Sequence, residues 1–224
     1  MALIFFVRHA QASFGAANYD QLSDLGRQQS RWLGEHFAAR GLRFRRVVTG
    51  ALVRQRDTAL ELLGAMGHDA SGIETHDGLD EYRGEELYRC YTGGRDQREH
   101  QRSDYRGYWR TFREAMEAWA EDRLTGMPES WAEFGARVRA GIDTAVRDAG
   151  RDDAVLVVSS GGAIGRAIGE IVGSPPKVAI EFNLQFRNTG FCELLAGGGG
   201  LRLLTFNSLP HLETPERRHA ITFA

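Results

Sequence analysis

Short, unbroken apolar runs alternate along this chain with longer stretches in which apolar positions recur every three or four residues. Leu3 to Val7 is one such run, Val47 to Thr49 a shorter one, and Ala154 to Ser159, AVLVVS, the clearest. Runs of this kind fit strands buried on both faces of a parallel sheet. The stretches between them have a helical period. Ser23 is placed to cap a helix from about Asp24 to Ala39 that carries Leu25, Trp32, Leu33 and Phe37 on one face and ends at Gly41. A second helix is expected from about Leu52 to Met66, with Ala59, Leu60, Leu63 and Met66 turned inward. Ser130 and Glu133 form an S-x-x-E capping box ahead of Phe134, Val138, Ile142 and Val146. Ser160-Gly161-Gly162 turns the AVLVVS strand into a helix with Ile164, Ile168, Ile171 and Val172, and Pro175 and Pro176 stop it. Gly190 to Leu195 and Leu201 to Phe206 read as a hairpin closed by the glycines at 197 to 200.

Asp77 to Met127 is different, being rich in charge and aromatics and opening without clear periodicity. From Tyr105 it becomes helical, with Tyr105, Tyr108, Trp109, Phe112, Met116 and Trp119 at a helical repeat that reads as core packing. Strand and helix alternate elsewhere, so the expected class is α/β, with a mainly parallel central sheet flanked by helices. Residues 1–224 are expected to form one domain.

Composition narrows the function classes. A formal net charge of −2 points to neither nucleic acid nor an anionic membrane. No apolar run is long enough to span a bilayer. The N-terminal MALIFFVRHA lacks a basic leader region and reads as a first strand, which makes a cytoplasmic location the expectation. Cys90 and Cys192 have no metal or redox spacing. The basic residues are 27 Arg and Lys177 alone, a bias that carries no functional inference.

In such sheets ligands bind beyond the carboxyl ends of the strands. Arg8 and His9 follow the first strand directly. A guanidinium there offers a planar fork suited to phosphate oxygens, and a neutral imidazole beside it can attack phosphorus. Arg54 opens the helix after the second strand, where exposed backbone N–H groups favour anions. Gly161 and Gly162 open another helix after a strand. Glu81 lies in the loop after the second helix, and a carboxyl group held in a closed site can protonate a leaving alkoxide. Taken singly, each could be an ordinary turn, surface or helix residue.

In order along the chain, these elements resemble the histidine phosphatase superfamily, also called the phosphoglycerate mutase-like family. The first motif, Arg-His-Gly, is similar to FFVRHAQAS, with Ala10 replacing the glycine. An L-x-x-x-G-x-x-Q element resembles Leu22 to Gln29, and S-x-L-x-R-x-x-x-T-A resembles Gly50 to Ala59. The L-x-E acid motif fits Leu79-Asp80-Glu81, and S-H-G-G aligns with Ser159-Ser160-Gly161-Gly162. The resemblance implies that His9 is the nucleophile that becomes phosphorylated, that Arg8 and Arg54 bind phosphoryl oxygens, and that Glu81 donates the proton. Gln11, Ser159, Ser160 and Gly161 would join Arg8 and Arg54 around the substrate. No metal or other cofactor is implied, because arginines and imidazoles supply the positive charge. The partner implied is a phosphorylated small molecule. Residues from about 85 to 127 correspond to the family's variable insertion, expected as helical and over the active site. Its eight arginines from Arg83 to Arg113 are interleaved with acids and read as a solvated, self-paired surface.

One departure matters. Ser160 stands where the family has its second histidine. A hydroxyl brings one neutral hydrogen bond and no charge, and losing one such transition-state donor costs on the order of a hundred- to a thousandfold in turnover. His211 or His219, in the C-terminal tail, could fold over the pocket in its place. The first reading is a phosphomonoesterase working through phospho-His9, weakened by Ser160. The second is a phosphoryl-ligand or phosphopeptide binder with the same pocket. A phosphoglycerate mutase-type transferase ranks lower, because Gln11-Ala12-Ser13-Phe14 replaces the family's Glu-Ser/Thr-x-Trp run. Ser160 as nucleophile ranks last, since SSGG lacks the G-x-S-x-G elbow.

Overall fold

The computed structural model describes residues 1–13 and 20–223; Phe14 lies outside them. Its strands are β1 (Ala2–Arg8), β2 (Phe44–Thr49), β3 (Ile73–Thr75), β4 (Ala154–Ser159), β5 (Phe191–Gly197) and β6 (Gly200–Ser208). Its α-helices are α1 (Asp24–Ala39), α2 (Val53–Met66), α3 (Gly84–Thr92), α4 (Gln97–Ser103), α5 (Tyr105–Ala120), α6 (Trp131–Val146), α7 (Gly161–Ile171) and α8 (Pro176–Gln185). The sheet order is β3-β2-β4-β1-β5-β6. The first four strands in that order run parallel, while β5 and β6 form the antiparallel hairpin expected from the glycines. This is the α/β class read from the sequence.

β1 lies between β4 and β5 and is buried on both faces, which explains its unbroken apolar run. The strand's two-residue period sends Phe5 and Val7 into one core, with Leu33 and Phe37 of α1 and Leu62 and Leu63 of α2. Ile4 and Phe6 enter the other core, with Phe134, Ile164 and Ile168. Phe37 meets Phe5, Phe44 and Phe191 edge-on at 5.3, 5.6 and 5.2 Å between centroids.

The caps follow the sequence. Ser23 Oγ accepts the Gly26 N–H, and Ser130 with Glu133 closes the expected capping box. Other expectations need correction. Leu25 and Trp32 leave the Leu33–Phe37 face and pack on Leu209, Leu212 and Ala220 of the C-terminal tail. Leu60 is exposed, and Leu62, two residues on, takes the inward position. α7 is ended by Gly173, whose φ of 65° suits a left-handed cap, and not by the prolines. Pro176 instead opens α8, where a missing N–H does no harm. β3, α3 and α4 were not legible as periodic segments. The aromatic stripe of α5 is core only in part: Tyr108, Phe112, Met116 and Trp119 are buried, whereas Tyr105 is 60 % exposed. Among the described residues, no helix is long and apolar enough to cross a membrane.

Candidate active site

His9 emerges from the carboxyl end of β1, where its backbone N–H donates to Ser159 of β4 at 2.8 Å. Asn188 Nδ2 donates to the His9 carbonyl at 3.2 Å. The backbone is thereby held by β4 on one side and by the loop ahead of β5 on the other. The imidazole Nδ1 lies 2.8 Å from the Ala10 carbonyl oxygen, which can only accept, so Nδ1 carries the proton. The lone pair is then on Nε2, which accepts from Arg54 Nε at 3.1 Å. His9 is buried, and burial first, then the charges of Arg54 and Arg8, hold its pKa well below the ordinary 6.5. The ring is therefore a neutral base at physiological pH.

Arg54 occupies the first turn of α2, as expected. Asp20 fixes it: its carboxylate accepts the Val53 N–H at 2.8 Å and pairs with Arg54 Nη1 at 2.7 Å. Arg8 is 6 % exposed, and its guanidinium donates to the Phe186 carbonyl at the end of α8.

Glu81 faces the start of α7. Its Oε2 accepts the Gly162 N–H at 2.9 Å and its Oε1 the Tyr82 N–H at 3.2 Å. A Cβ at position 162 would overlap the carboxylate, so glycine is what permits this contact. Burial raises the Glu81 pKa from its ordinary 4.5 despite those two N–H groups and the two arginines. Arg137 holds the loop below by donating to the Asp80 carbonyl at 2.7 Å and the Gly78 carbonyl at 3.1 Å.

Arg8, His9, Arg54 and Glu81 line one cavity of about 820 Å³. Ser159, Ser160 and Gln11 do not line it. Ser159 Oγ donates to the Leu79 carbonyl at 2.6 Å, and Ser160, fully buried, accepts from Gln55 Nε2 at 2.9 Å. Gln11 Oε1 accepts from Ser23 Oγ at 2.8 Å. Gly161 lies beneath Arg8; a Cβ there would stand 3.4 Å from Arg8 Nε. Neither tail histidine lines the cavity. His211 is buried against Thr189, 2.9 Å from its hydroxyl, and His219 is exposed. Phe223 is the tail residue that reaches the cavity.

Several supporting residues escaped the sequence reading. Asn183, on the cavity wall, donates to the Tyr82 hydroxyl at 3.1 Å. Gln29 accepts the Gln11 N–H at 2.9 Å and donates to the Ala220 carbonyl at 2.7 Å, tying the first loop to the tail. Thr58 Oγ1 accepts the Ala10 N–H at 3.0 Å. Gln29 and Thr58 fall on motif positions, so a signal for them existed. Asn183 and Asn188 have no local pattern and are placed only by the fold. The arginines from Arg83 to Arg113 also depart in part from expectation: Arg83 and Arg98 pair with Glu86 and Glu85, but Arg98, Arg102 and Arg113 line the cavity.

A second cavity of about 650 Å³ opens at the amino end of β1, between α6, α7 and the β5–β6 hairpin, and none of these site residues lines it. Among the described residues, no group of three or more His, Cys, Asp or Glu is placed to hold a metal ion. The sequence profile of the histidine phosphatase superfamily (branch 1) matches residues 4–209. The chain belongs to the histidine phosphatase superfamily.

Solved structures of the superfamily's architecture agree. Phosphoserine phosphatase of Entamoeba histolytica, in complex with 3-phosphoglyceric acid, superposes with a TM-score of 0.66 at 19% identity, over 95% of this chain and 100% of that one. Mycobacterial glucosyl-3-phosphoglycerate phosphatase gives 0.64 at 22%, over 92% and 98%. Phosphoglycerate mutase of Bacillus anthracis gives 0.64 at 17%, over 94% of each chain. At these identities the likeness concerns the fold. No curated protein sequence matches the chain significantly.

Proposed function

We propose that this chain is a phosphomonoester hydrolase acting through a phosphohistidine on His9. The observation that carries the reading is the Nε2 lone pair of a neutral imidazole at the cavity, with Arg54 donating to that atom and Arg8 beside it. A phosphate-sized anion sits between Arg8, His9 and Arg54. His9 Nε2 attacks phosphorus, the bond from phosphorus to the ester oxygen breaks, and protonated Glu81 delivers its proton to the departing oxygen. Glu81, now a carboxylate, takes a proton from water as that water attacks phospho-His9. Inorganic phosphate leaves, His9 regains its lone pair and Glu81 its proton. Charge on the transferring group is met by Arg8 and Arg54, so the reaction runs without a metal. The phosphatases among the structural neighbours favour hydrolysis over transfer. The reading keeps a phosphorylated small molecule as substrate and the cytoplasm as location.

A second reading, a phosphoryl-ligand binder, draws on one observation: the residue at the second histidine's position is a buried serine turned to Gln55. The two readings separate on a single experiment. Enzyme mixed with radiolabelled p-nitrophenyl phosphate and quenched in base should trap an acid-labile phosphoenzyme. His9→Ala should abolish both the trapped label and turnover, and excess chelator should change neither. Tight phosphate binding with no label and no turnover would leave the binder. Turnover that survives His9→Ala would overturn the mechanism.

A further inference from the structure

The cavity is far larger than a phosphoryl group needs. About 820 Å³ lies within the roughly 300–1,000 Å³ of pockets that enclose whole drug-sized ligands. The space beyond His9 is walled by aromatic rings. Tyr105, Trp109 and Phe112 succeed one another on one side of α5, with Trp109 edge-on to both neighbours at 6.1 and 5.8 Å. Phe223 joins from the tail and is 49 % exposed, with the Arg187 guanidinium 4.5 Å from its ring centre. Tyr105 and Phe223 are exposed and Trp109 is half-buried, and rings gathered in this way around one cavity, not scattered, mark a surface that a ligand covers.

The same mouth carries positive charge separate from the phosphoryl-binding arginines. α4 presents Arg98 and Arg102, four residues apart, to the cavity. Arg98 bridges to Glu85 at 3.2 Å with both side chains well exposed, a pair that water screens heavily. Arg102 is exposed and makes no ion pair among the described residues. One acid against two guanidinium groups leaves a cation to spare.

Resting on the phosphomonoesterase reading, we propose that the substrate's leaving group is a flat aromatic ring bearing a second negative charge. The ring stacks on the Tyr105–Trp109 wall and the anion meets Arg102.

The test separates binding from turnover. Calorimetry measures butylphosphonate, benzylphosphonate and carboxybenzylphosphonate, which cannot be hydrolysed. Steady-state kinetics then compares butyl, phenyl and 3-carboxyphenyl phosphate. The expected order of affinity is carboxybenzyl, benzyl, butyl. Trp109→Ala should shrink the aryl-over-alkyl ratio, in binding and in kcat/KM, by about tenfold, the scale of one lost aromatic stack. Arg102→Gln, a surface change that keeps the fold should Trp109→Ala fail to express, should abolish only the advantage of the carboxylate, together with its salt dependence. Equal affinity for all three phosphonates would overturn the proposal, as would unchanged ratios in both variants. The expected phosphonate order with no phosphomonoester hydrolysed would uphold this pocket chemistry and overturn the phosphatase reading.

Discussion

His9 is buried beside two guanidinium groups, and both conditions oppose a second proton on its ring. Glu81, partly buried nearby, is shifted the opposite way, because loss of water penalises a carboxylate. The two shifts set the pH profile of the proposed reaction. The imidazole must be neutral and the carboxyl protonated. Thus kcat/KM should rise as pH climbs past the depressed His9 pKa and fall as pH rises through the elevated Glu81 pKa. The alkaline fall should be pronounced for an alkyl phosphate, whose oxygen needs a proton, and weak for p-nitrophenyl phosphate. Glu81→Gln should remove it. An identical alkaline limb in that variant would show that another group titrates. Ser160 invites a second change. An imidazole there needs the space now held by the Gln55 amide, which donates to the serine hydroxyl. Ser160→His combined with Gln55→Ala should raise turnover about ten- to a thousandfold, the scale of one restored transition-state donor. Unaltered kcat in a folded double variant would mean that Arg8 and Arg54 already complete the clamp.

At the scale of elements, the C-terminal tail is structural support for the site. It lies against α1 through Leu209, Leu212 and Ala220, meets Gln29 through the Ala220 carbonyl, and meets Asn188 through Thr222. His211 is locked into this seam. Thr189 Oγ1 already donates to the Asn188 carbonyl at 2.7 Å, so it accepts from His211 Nε2, and Nδ1 is left buried without a partner among the described residues. Burial, with His36 and Arg217 nearby, lowers the His211 pKa from 6.5 to about 3. The unfolded chain takes up a proton there that the folded chain refuses. Stability from this group is therefore whole above pH 6.5 and drains away as pH falls towards about 3. His211→Leu should flatten the decline of the urea midpoint over that range, leaving the smaller slope due to the other groups with lowered pKa, among them His9, His36, Glu61 and Glu74. A decline as steep as the native protein's would place the acid sensitivity elsewhere.

For the whole molecule, the sheet does the positioning and the two cores hold the sheet. Phe37 is fully buried at the crossing of α1 with β1, β2 and β5. Phe37→Ala should destabilise by about 3–5 kcal/mol, read from denaturant unfolding, because the ring's contacts vanish and the cavity cannot fully collapse. Much less than that would mean the sheet moves in to close the gap. Turnover per folded molecule should change little, since Phe37 does not line the cavity of His9, Arg54 and Glu81.

Sequence alone determined the parts of this protein that rest on local physics. β1 and β4 are legible because a strand covered on both faces must be apolar throughout, and α1 and α6 because their caps and periods are written in neighbouring residues. Arg8, His9, Arg54 and Glu81 are legible because short motifs place each at the end of an element. The tertiary structure alone decided what depends on residues far apart in the chain. It turned Ser159, Ser160 and Gln11 away from the cavity, since their hydroxyls and amide found partners in Leu79, Gln55 and Ser23. It brought Asn183 and Phe223 to the cavity wall. It also divided the aromatic stripe of α5 between core and cavity, because a helical period shows that a face is apolar but not whether protein or ligand will cover it.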